Sequence, residues 1–272
     1  MKDISEREYR QLIDTVKSVY GYDFSLYAQA SMYRRLEKFL NSKNIEDVTH
    51  LVRRLELQPD LFKNFLEEIT VNVTEMFRDP AFFKSIRSNV VPYLKTYPTV
   101  KIWDAGCSSG EEAYSLAILL HEEGLLNKTR IYATDINPKV IRTAANGIYP
   151  IDSIKYYSKN YLSAGGKFSL SDYYHAKYTN IVIHQNLAEN ILFSHHNLVS
   201  DGSFNVFNMV ICRNVLIYFK RELQEQVLKL FLESLPVFGF LALGNKESLK
   251  FTAVESYFQV IDNREKIYQR IK

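Results

Sequence analysis

What this 272-residue chain lacks narrows its reading first. It has two cysteines, Cys107 and Cys212, too few for a disulfide framework. With no secretion signal beside them, they suggest a reducing cytoplasm. The opening MKDISEREYR lacks the apolar core of a signal peptide. No apolar run is long enough to cross a bilayer, so no membrane insertion is expected. The formal net charge is only +3, too small to argue for nucleic acid, and any basic effect must be local. Phosphate-cradling loops are missing as well: there is no Gly-Lys-Ser/Thr of a Walker loop and no Gly-x-Gly-x-x-Gly turn. His195 and His196 are adjacent, which makes it hard for both rings to face one ion, and no metal site is expected. Internal repeats and low-complexity segments are also absent.

The chain is rich in aromatics, with 19 Tyr and 17 Phe, as expected of a well-packed core. Its length suits one large domain or two modest ones. The organising stretch is KIWDAGCSSGEEAYS, residues 101–115. Val100, Ile102 and Trp103 read as a buried strand closed by Asp104, and Gly106, Ser108, Ser109 and Gly110 as a tight turn that lets backbone approach a ligand. From Glu111 a helix begins, with Tyr114, Leu116, Ala117, Leu119 and Leu120 on its apolar side. In open α/β sheets a nucleotide-like ligand lies at such a turn. The next strand, RIYATD, ends in Asp135, placed to hold the hydroxyls of a ribose. A ribose site beside a turn with no phosphate cradle suggests S-adenosylmethionine over NAD.

Residues 1–70 read as all-helical. Ser5 and Glu8 form a candidate capping box, followed by Tyr9, Leu12, Ile13 and Val16 at helical spacing. A second helix is expected over 26–40, carrying Arg34, Arg35 and Lys38. A third has Val48, Leu51, Val52 and Leu55, and a fourth Leu61, Phe62, Phe65, Leu66 and Ile69. Residues 71–78 are β-branched and polar, an irregular connector. Asp79-Pro80 then predicts a helix with Asp79 as its N-cap. From Val100 strands alternate with helices, which implies a doubly wound parallel sheet. Asn137-Pro138 caps one of its helices, 151–163 is another, and 167–187 reads as a small antiparallel insertion. A helix is expected over 221–235, a strand over 238–243 and a closing hairpin over 258–271. Cys107 and Cys212 end two strands that would be neighbours; buried small residues are their default reading, and a redox link is the alternative.

Four stretches, ITVNVTEMFRDPAFF (69–83), WDAGCSSGEEAYS (103–115), IYATDINPKVI (131–141) and CRNVLIYF (212–219), together resemble the chemotaxis receptor glutamate O-methyltransferases, the CheR family. They come in the family's order, and the resemblance covers essentially the whole chain. The pair Asn-x-Thr-x-x-x-Arg and Cys-Arg-Asn-Val-x-Ile-Tyr is the specific part. The resemblance implies a Rossmann-like S-adenosylmethionine-dependent methyltransferase domain over 100–272, an N-terminal helical domain facing the substrate over 1–70, and a connector with helix over 71–99. It implies that Asn72, Thr74 and Arg78 contact the methionine end of the cofactor and the reacting centre. Gly106 and Glu112 would belong to the first loop, Asp135 would hold the ribose, and Asn197 and Leu198 would flank the adenine. Arg213 and Tyr218 would lie near the sulfonium and the incoming glutamate, so Arg78, Arg213 and Tyr218 are the expected catalytic residues. Arg34, Arg35 and Lys38 would face the methylated helices of the receptor's cytoplasmic domain.

The implied chemistry is coherent with the residues. A substrate glutamate, with a free pKa of about 4.3, is already ionised at neutral pH and needs no strong general base. Arg78 or Arg213 could orient it by a charge-assisted hydrogen bond, and Tyr218 could close the site. The product would be a glutamate methyl ester together with S-adenosylhomocysteine, made by a monomer. One departure stands out. Some family members carry a longer, Gly-containing loop in the insertion that grips a receptor tail peptide. The matching stretch here, DYYHAKYTNIVIHQ (172–185), is short and lacks Gly, so substrate recognition by the helical domain alone is expected. Two rival readings remain: a methyltransferase for a different protein substrate, and a non-catalytic S-adenosylmethionine-binding signalling module. Nucleic acid is not an expected substrate, since no Asn/Asp-Pro-Pro-aromatic motif is present.

Overall fold

The computed structural model describes residues 4–272. By internal contacts the chain divides into two units, a helical one of residues 1–72 and 217–227 and a sheet-containing one of residues 73–216 and 228–272.

In the helical unit, α1 (Glu6–Tyr20) starts at the predicted capping box, with the Ser5 side chain accepting from Glu8 N and the Glu8 carboxylate accepting from Ser5 N. Tyr9, Leu12, Ile13 and Val16 are its buried stripe. Helices α2 (Gln29–Ser42), α3 (Val48–Leu57) and α4 (Pro59–Ile69) follow, with Asp47 capping α3 and Pro59 at the first position of α4. Helix α1 packs on α3, and α2 on α4. Phe39 and Phe65 meet edge to face at 5.5 Å in the core. Helix α2 begins three residues later than its periodicity predicts. Leu26 O and Ala28 N are taken by hydrogen bonds to Lys220 N and Tyr218 O, and Tyr27 bridges Phe219. That pairing holds the segment extended.

The sheet unit opens with α5 (Pro80–Ser85), a π turn over Ile86–Val90, and α6 (Val91–Leu94). The sequence predicts one unbroken helix here. Pro92 has no N–H to donate to the preceding turn, and the hydrogen-bond ladder shifts, with Val91 N reaching Ile86 O. Then come β1 (Val100–Ala105), α7 (Glu111–Glu122), β2 (Thr129–Asp135), α8 (Pro138–Asn146), β3 (Ile148–Pro150), α9 (Ile154–Ser163), β4 (Tyr174–Lys177), β5 (Asn180–Ile183), α10 (Gln185–Ala188), β6 (Ile191–His195) and β7 (Met209–Cys212). Helix α11 (Arg221–Ser234), β8 (Phe240–Leu243), β9 (Phe258–Asp262) and β10 (Ile267–Arg270) complete the chain.

Seven strands form one sheet in the order β6-β2-β1-β7-β8-β10-β9, parallel through β8, with β10 and β9 antiparallel. Strand order reverses beside β1, because the chain runs outward to β2 and β6 and then returns to β7 on the other flank. Such a reversal opens a crevice at the carboxyl ends of the strands. The core lies between the sheet and its helices, with Ile102, Ile118, Ile131, Met209 and Phe240 fully buried. The antiparallel insertion is larger than its sequence suggests. A second sheet, β3-β5-β4, recruits residues 148–150 through the register of Tyr149 with Ile181. Three residues are too few to carry a periodicity, so β3 is set by pairing alone.

Candidate functional site at the carboxyl ends of the central strands

The turn after β1 is built for packing. Gly106 and Gly110 both have positive φ, +90° and +92°. A Cβ on Gly106 would lie 2.4 Å from Val215 Cγ2, and one on Gly110 would lie 2.8 Å from Ala144 Cβ. Both glycines are therefore needed for the close packing of neighbouring protein against the turn. Four of the turn's amides are also spent internally. Gly106 N and Cys107 N donate to Thr134 O, Ser108 N to Asp135 Oδ2, and Gly110 N to Cys107 O. With those donors used, the turn is no cradle for a pyrophosphate, in keeping with the sequence reading against NAD.

Carboxylates dominate instead. Asp104 lies one residue inside the end of β1, which runs on to Ala105 and not, as expected, to Asp104 itself; it is buried, and its Oδ2 has no hydrogen-bond partner. Burial, and then the neighbouring Glu112 and Asp135, push its pKa well above the usual carboxylate range, with Arg213 pulling the other way. Asp135 ends β2 and accepts from Ser108 N and Asn137 N; burial raises its pKa against those hydrogen bonds. Arg213 follows β7 with its side chain 1% exposed. It is paired with Glu112 and, at 2.7 Å, with Asp79, and its guanidinium carbon lies 4.0 Å from the Phe82 ring centroid. Asp79 stands at the N-cap position of α5 with Pro80 after it, as predicted, but its side chain makes no capping hydrogen bond. It adopts a left-handed conformation, and its carboxylate faces Arg213. Thus Asp79, Asp104, Glu112 and Asp135 outnumber the buried cation at the crevice.

The sequence pointed to several of these positions, and the structure groups them unevenly. Glu112, Asp135 and Arg213 join one charged cluster with Asp104 and Asp79. Arg78 lies beside it: its backbone carbonyl is 3.4 Å from both Arg213 Nη atoms, while its guanidinium makes a single hydrogen bond, Nη1 to Val73 O at 3.1 Å. Asn197 and Leu198 form the turn after β6, with Asn197 accepting from Val199 N. That turn is next to Asp135, because His195 pairs with Asp135 across the ladder and His196 N donates to Asp135 O. Thr74 is half-buried on the connector. Asn72 and Tyr218 belong to the helical unit, where Asn72 Nδ2 donates to Glu67 O at 3.3 Å. Arg34 and Lys38 are exposed on α2, and Arg35 is buried. A basic face made of all three cations is therefore corrected to two. Cys107 and Cys212 are both free thiols, as the default reading has it.

Two residues of the cluster and one beside it carry no site signal in the sequence. Asp104 reads there as a strand terminator and Asp79 as a cap. Glu247 carried no local signal at all, yet its buried carboxylate accepts from Val215 N at 2.9 Å, Asn214 N at 3.2 Å and Gly244 N at 2.6 Å. It thereby fixes the loop carrying Arg213 and Val215. Four non-glycine residues at positive φ surround the same crevice: Phe77, Asp79, Ser108 and Asn214. Such conformations cost roughly 1–3 kcal/mol each and persist where surrounding contacts over-determine them.

A doubly wound sheet with an acidic, phosphate-excluding crevice and an acid at the tip of its second strand defines a nucleoside site suited to a cationic ligand. That is the chemistry of an S-adenosylmethionine-dependent methyltransferase. Comparison with known proteins bears this out. The SAM binding domain of the CheR methyltransferases matches residues 72–267, and the family's all-alpha domain matches residues 7–70. The chain belongs to the CheR methyltransferase family. It is 44% identical over 263 residues to Cher3 of Pseudomonas putida, covering 97% of this chain and 96% of that one. The chemotaxis protein methyltransferase of Listeria monocytogenes is 29% identical over 251 residues, covering 90% and 91% of the two chains. That of Salmonella typhimurium is 26% identical over 257 residues, covering 90% and 85%. No helix of the described residues is long and apolar enough to cross a membrane.

Proposed function

We propose that this protein methylates glutamate side-chain carboxylates of chemoreceptors, yielding glutamate methyl esters and S-adenosylhomocysteine in the cytoplasm. The observation that carries the reading is the division of labour between two arginines. Arg213 is buried and committed to Asp79 and Glu112, whereas Arg78, at the rim of the same cluster, keeps most of its guanidinium uncommitted. Arg78 is therefore the group to grip an incoming carboxylate, by a bidentate, charge-assisted contact. Arg213 keeps the cluster assembled.

Asp135, Glu112, Asn197 and Leu198 would hold the cofactor, with Asn72 and Thr74 at its methionine end. When bound, S-adenosylmethionine supplies an electrophilic methyl group on a cationic sulfur. Asp104, Glu112 and Asp135 favour a cation there, and the orphaned Asp104 oxygen gains a compensating charge. The nucleophile needs no deprotonation, since a free glutamate has a pKa of about 4.3. Nor does the cluster offer a ready base: burial pushes the Cys107 and Cys212 thiols up, and burial lowers the pKa of His196, which packs against Trp103. Orientation of the carboxylate by Arg78, with Tyr218 closing the site, is the protein's main contribution.

The partner would be the cytoplasmic helical region of a methyl-accepting receptor, met by a monomer through Arg34 and Lys38 on α2. Recognition of a receptor tail peptide is not part of the proposal. Only residues 178 and 179 separate β4 from β5, which supports the expectation of a short insertion loop. Submicromolar binding of an isolated tail peptide would overturn that point.

The deciding experiment transfers a radiolabelled methyl group from S-adenosylmethionine to membranes of the source cell and then applies mild base. Label on a membrane protein that leaves as volatile methanol is expected. Base-stable label would replace the carboxylate by another acceptor atom. Binding of S-adenosylhomocysteine with no label on any protein would favour a non-catalytic signalling module.

A further inference from the structure

Arg35 behaves unlike its neighbours on α2. Arg34 and Lys38, four residues apart and so on one face of the helix, are exposed, and Lys38 pairs with Glu68. Arg35 points the other way and is buried. Its Nη1 donates to the carbonyl of Ile69, the last residue of α4, and its Nη2 donates to Ser31 Oγ at 2.9 Å. Its guanidinium carbon lies 4.8 Å from the centroid of the Tyr218 ring. A planar guanidinium is suited to this, stacking on an aromatic face while its edge donates hydrogen bonds.

The main chain of Tyr218 is held by the same element. Tyr218 O accepts from Ala28 N at 2.8 Å, at the N-cap of α2, and Lys220 N donates to Leu26 O at 2.8 Å. The Tyr27 ring meets Phe219 edge to face at 5.0 Å. Tyr218 closes a short 3-10 turn over Leu216–Tyr218, and Phe219 then bridges Tyr27 along the lead-in to α2. Backbone bonds fix where Tyr218 stands, and Arg35 faces its ring. Burial lowers the Arg35 pKa, against the pull of Tyr218, yet an arginine stays charged.

We propose that Arg35 is a positioning residue for Tyr218. On this assignment α2 does two things: it meets the receptor helix through Arg34 and Lys38, and it sets the orientation of the tyrosine that closes the site through Arg35. The proposal rests on the reading above, in which Tyr218 works at the reacting centre and α2 faces the substrate. It assigns Arg35 no contact with the receptor and none with the reacting atoms.

The test is a double-mutant cycle on the full chain, with R35M, Y218L and the pair, run in parallel with R35K and Y218F in case R35M does not fold. Methyl transfer to receptor-containing membranes gives kcat and receptor KM, and calorimetry gives S-adenosylhomocysteine affinity. R35M is expected to lower kcat about tenfold or more while leaving receptor KM and S-adenosylhomocysteine affinity within about twofold. The double variant should be no slower than Y218L within about twofold, the non-additivity expected of residues acting as a unit. R35K, which keeps the charge and loses the planar fork, should fall between wild type and R35M. R34A/K38A should show the opposite split, with receptor KM raised. Multiplicative losses in the cycle, or an R35M defect confined to KM, would overturn the proposal.

A readout independent of activity separates this from failure of the functional reading. In protein carrying 3-fluorotyrosine, the 19F resonance of Tyr218, assigned by its absence in Y218F, should shift in R35M and R35K. An unshifted resonance overturns the proposal whatever the substrate is. A shifted resonance with no methyl transfer by the wild-type protein leaves the contact standing and sinks the methyl-transfer reading.

Discussion

Each of the two units buries one arginine among the described residues, and the two are used differently. Arg35 in the helical unit is satisfied by a carbonyl, a hydroxyl and a ring. Arg213 in the sheet unit is held between two carboxylates, with a third, Asp104, close enough to feel it. The first arrangement is a neutral cradle around one charge and lends itself to orienting a side chain. The second is a charged cluster with more anions than cations, favourable only when something positive completes it. That an arginine is buried therefore says little about its role; its partners decide.

Breaking the charged cluster should have the largest effect. R213M leaves the largely buried Glu112 without its cation; removing one partner of a buried pair typically costs about 3–5 kcal/mol, and the Asp79 side chain, 37% exposed, adds little to that. Urea unfolding should report a loss of that order, together with loss of methyl transfer. R213K should recover little, because an ammonium lacks the fork that reaches two carboxylates at once. Stability within 1 kcal/mol of wild type would end the contrast with Arg35.

Glu247 comes next. E247A leaves the Asn214, Val215 and Gly244 amides without their acceptor, at about 1–3 kcal/mol for the buried donors. Because Val215 then no longer packs firmly against Gly106, calorimetry should show weakened S-adenosylhomocysteine binding. Unaltered binding in a destabilised E247A protein would mean that the loop supports the fold without shaping the cofactor turn.

Asp104 sharpens the comparison because its effect has the opposite sign. Its folded-state pKa is raised, so its contribution to stability is fully present below the unfolded pKa of about 3.9 and is lost as pH rises through the raised folded value. D104N should therefore flatten that loss and stabilise the ligand-free protein at neutral pH by about 1 kcal/mol, measured as Tm against pH. The same change should weaken S-adenosylmethionine more than S-adenosylhomocysteine, since only the former carries the sulfonium charge. Equal weakening would remove Asp104 from the counter-charge.

The smallest effect belongs to the helical unit's surface. S5A removes the α1 cap and should cost about 0.5–1 kcal/mol, with no change in cofactor affinity. A loss of affinity in S5A would mean that the two units are energetically coupled.

The helical unit could be read closely because its signals are local. The Ser5–Glu8 box and the apolar stripes of α1, α3 and α4 each lie within a few helical turns, and each is where the sequence predicts it. Its one shifted boundary, at the start of α2, was moved by pairing with residues 218–220, nearly two hundred positions away. In the sheet unit the strand-turn-helix at 100–122 and the acid at 135 were legible for the same local reason. Asn137 caps α8 through its side chain as its sequence predicts, whereas Asp79, at the N-cap position in the same Asx-Pro context before α5, makes no side-chain capping hydrogen bond. The difference is Arg213, which holds the Asp79 carboxylate from the far side of the sequence.

The sequence by itself determined the helical N-terminal region, the alternating strands and helices that follow it, the turn after β1, the acid on β2 and the family to which these belong, because each depends on residues a few positions apart. Only the tertiary structure decided which charges meet. Asp79 with Arg213, Glu247 with the loop after β7 and Arg35 with Tyr218 are separated by 134, 32 and 183 positions. Such pairs leave no periodicity for a local reading to find. The energy of a buried charge is set by what folding places within a few ångströms of it.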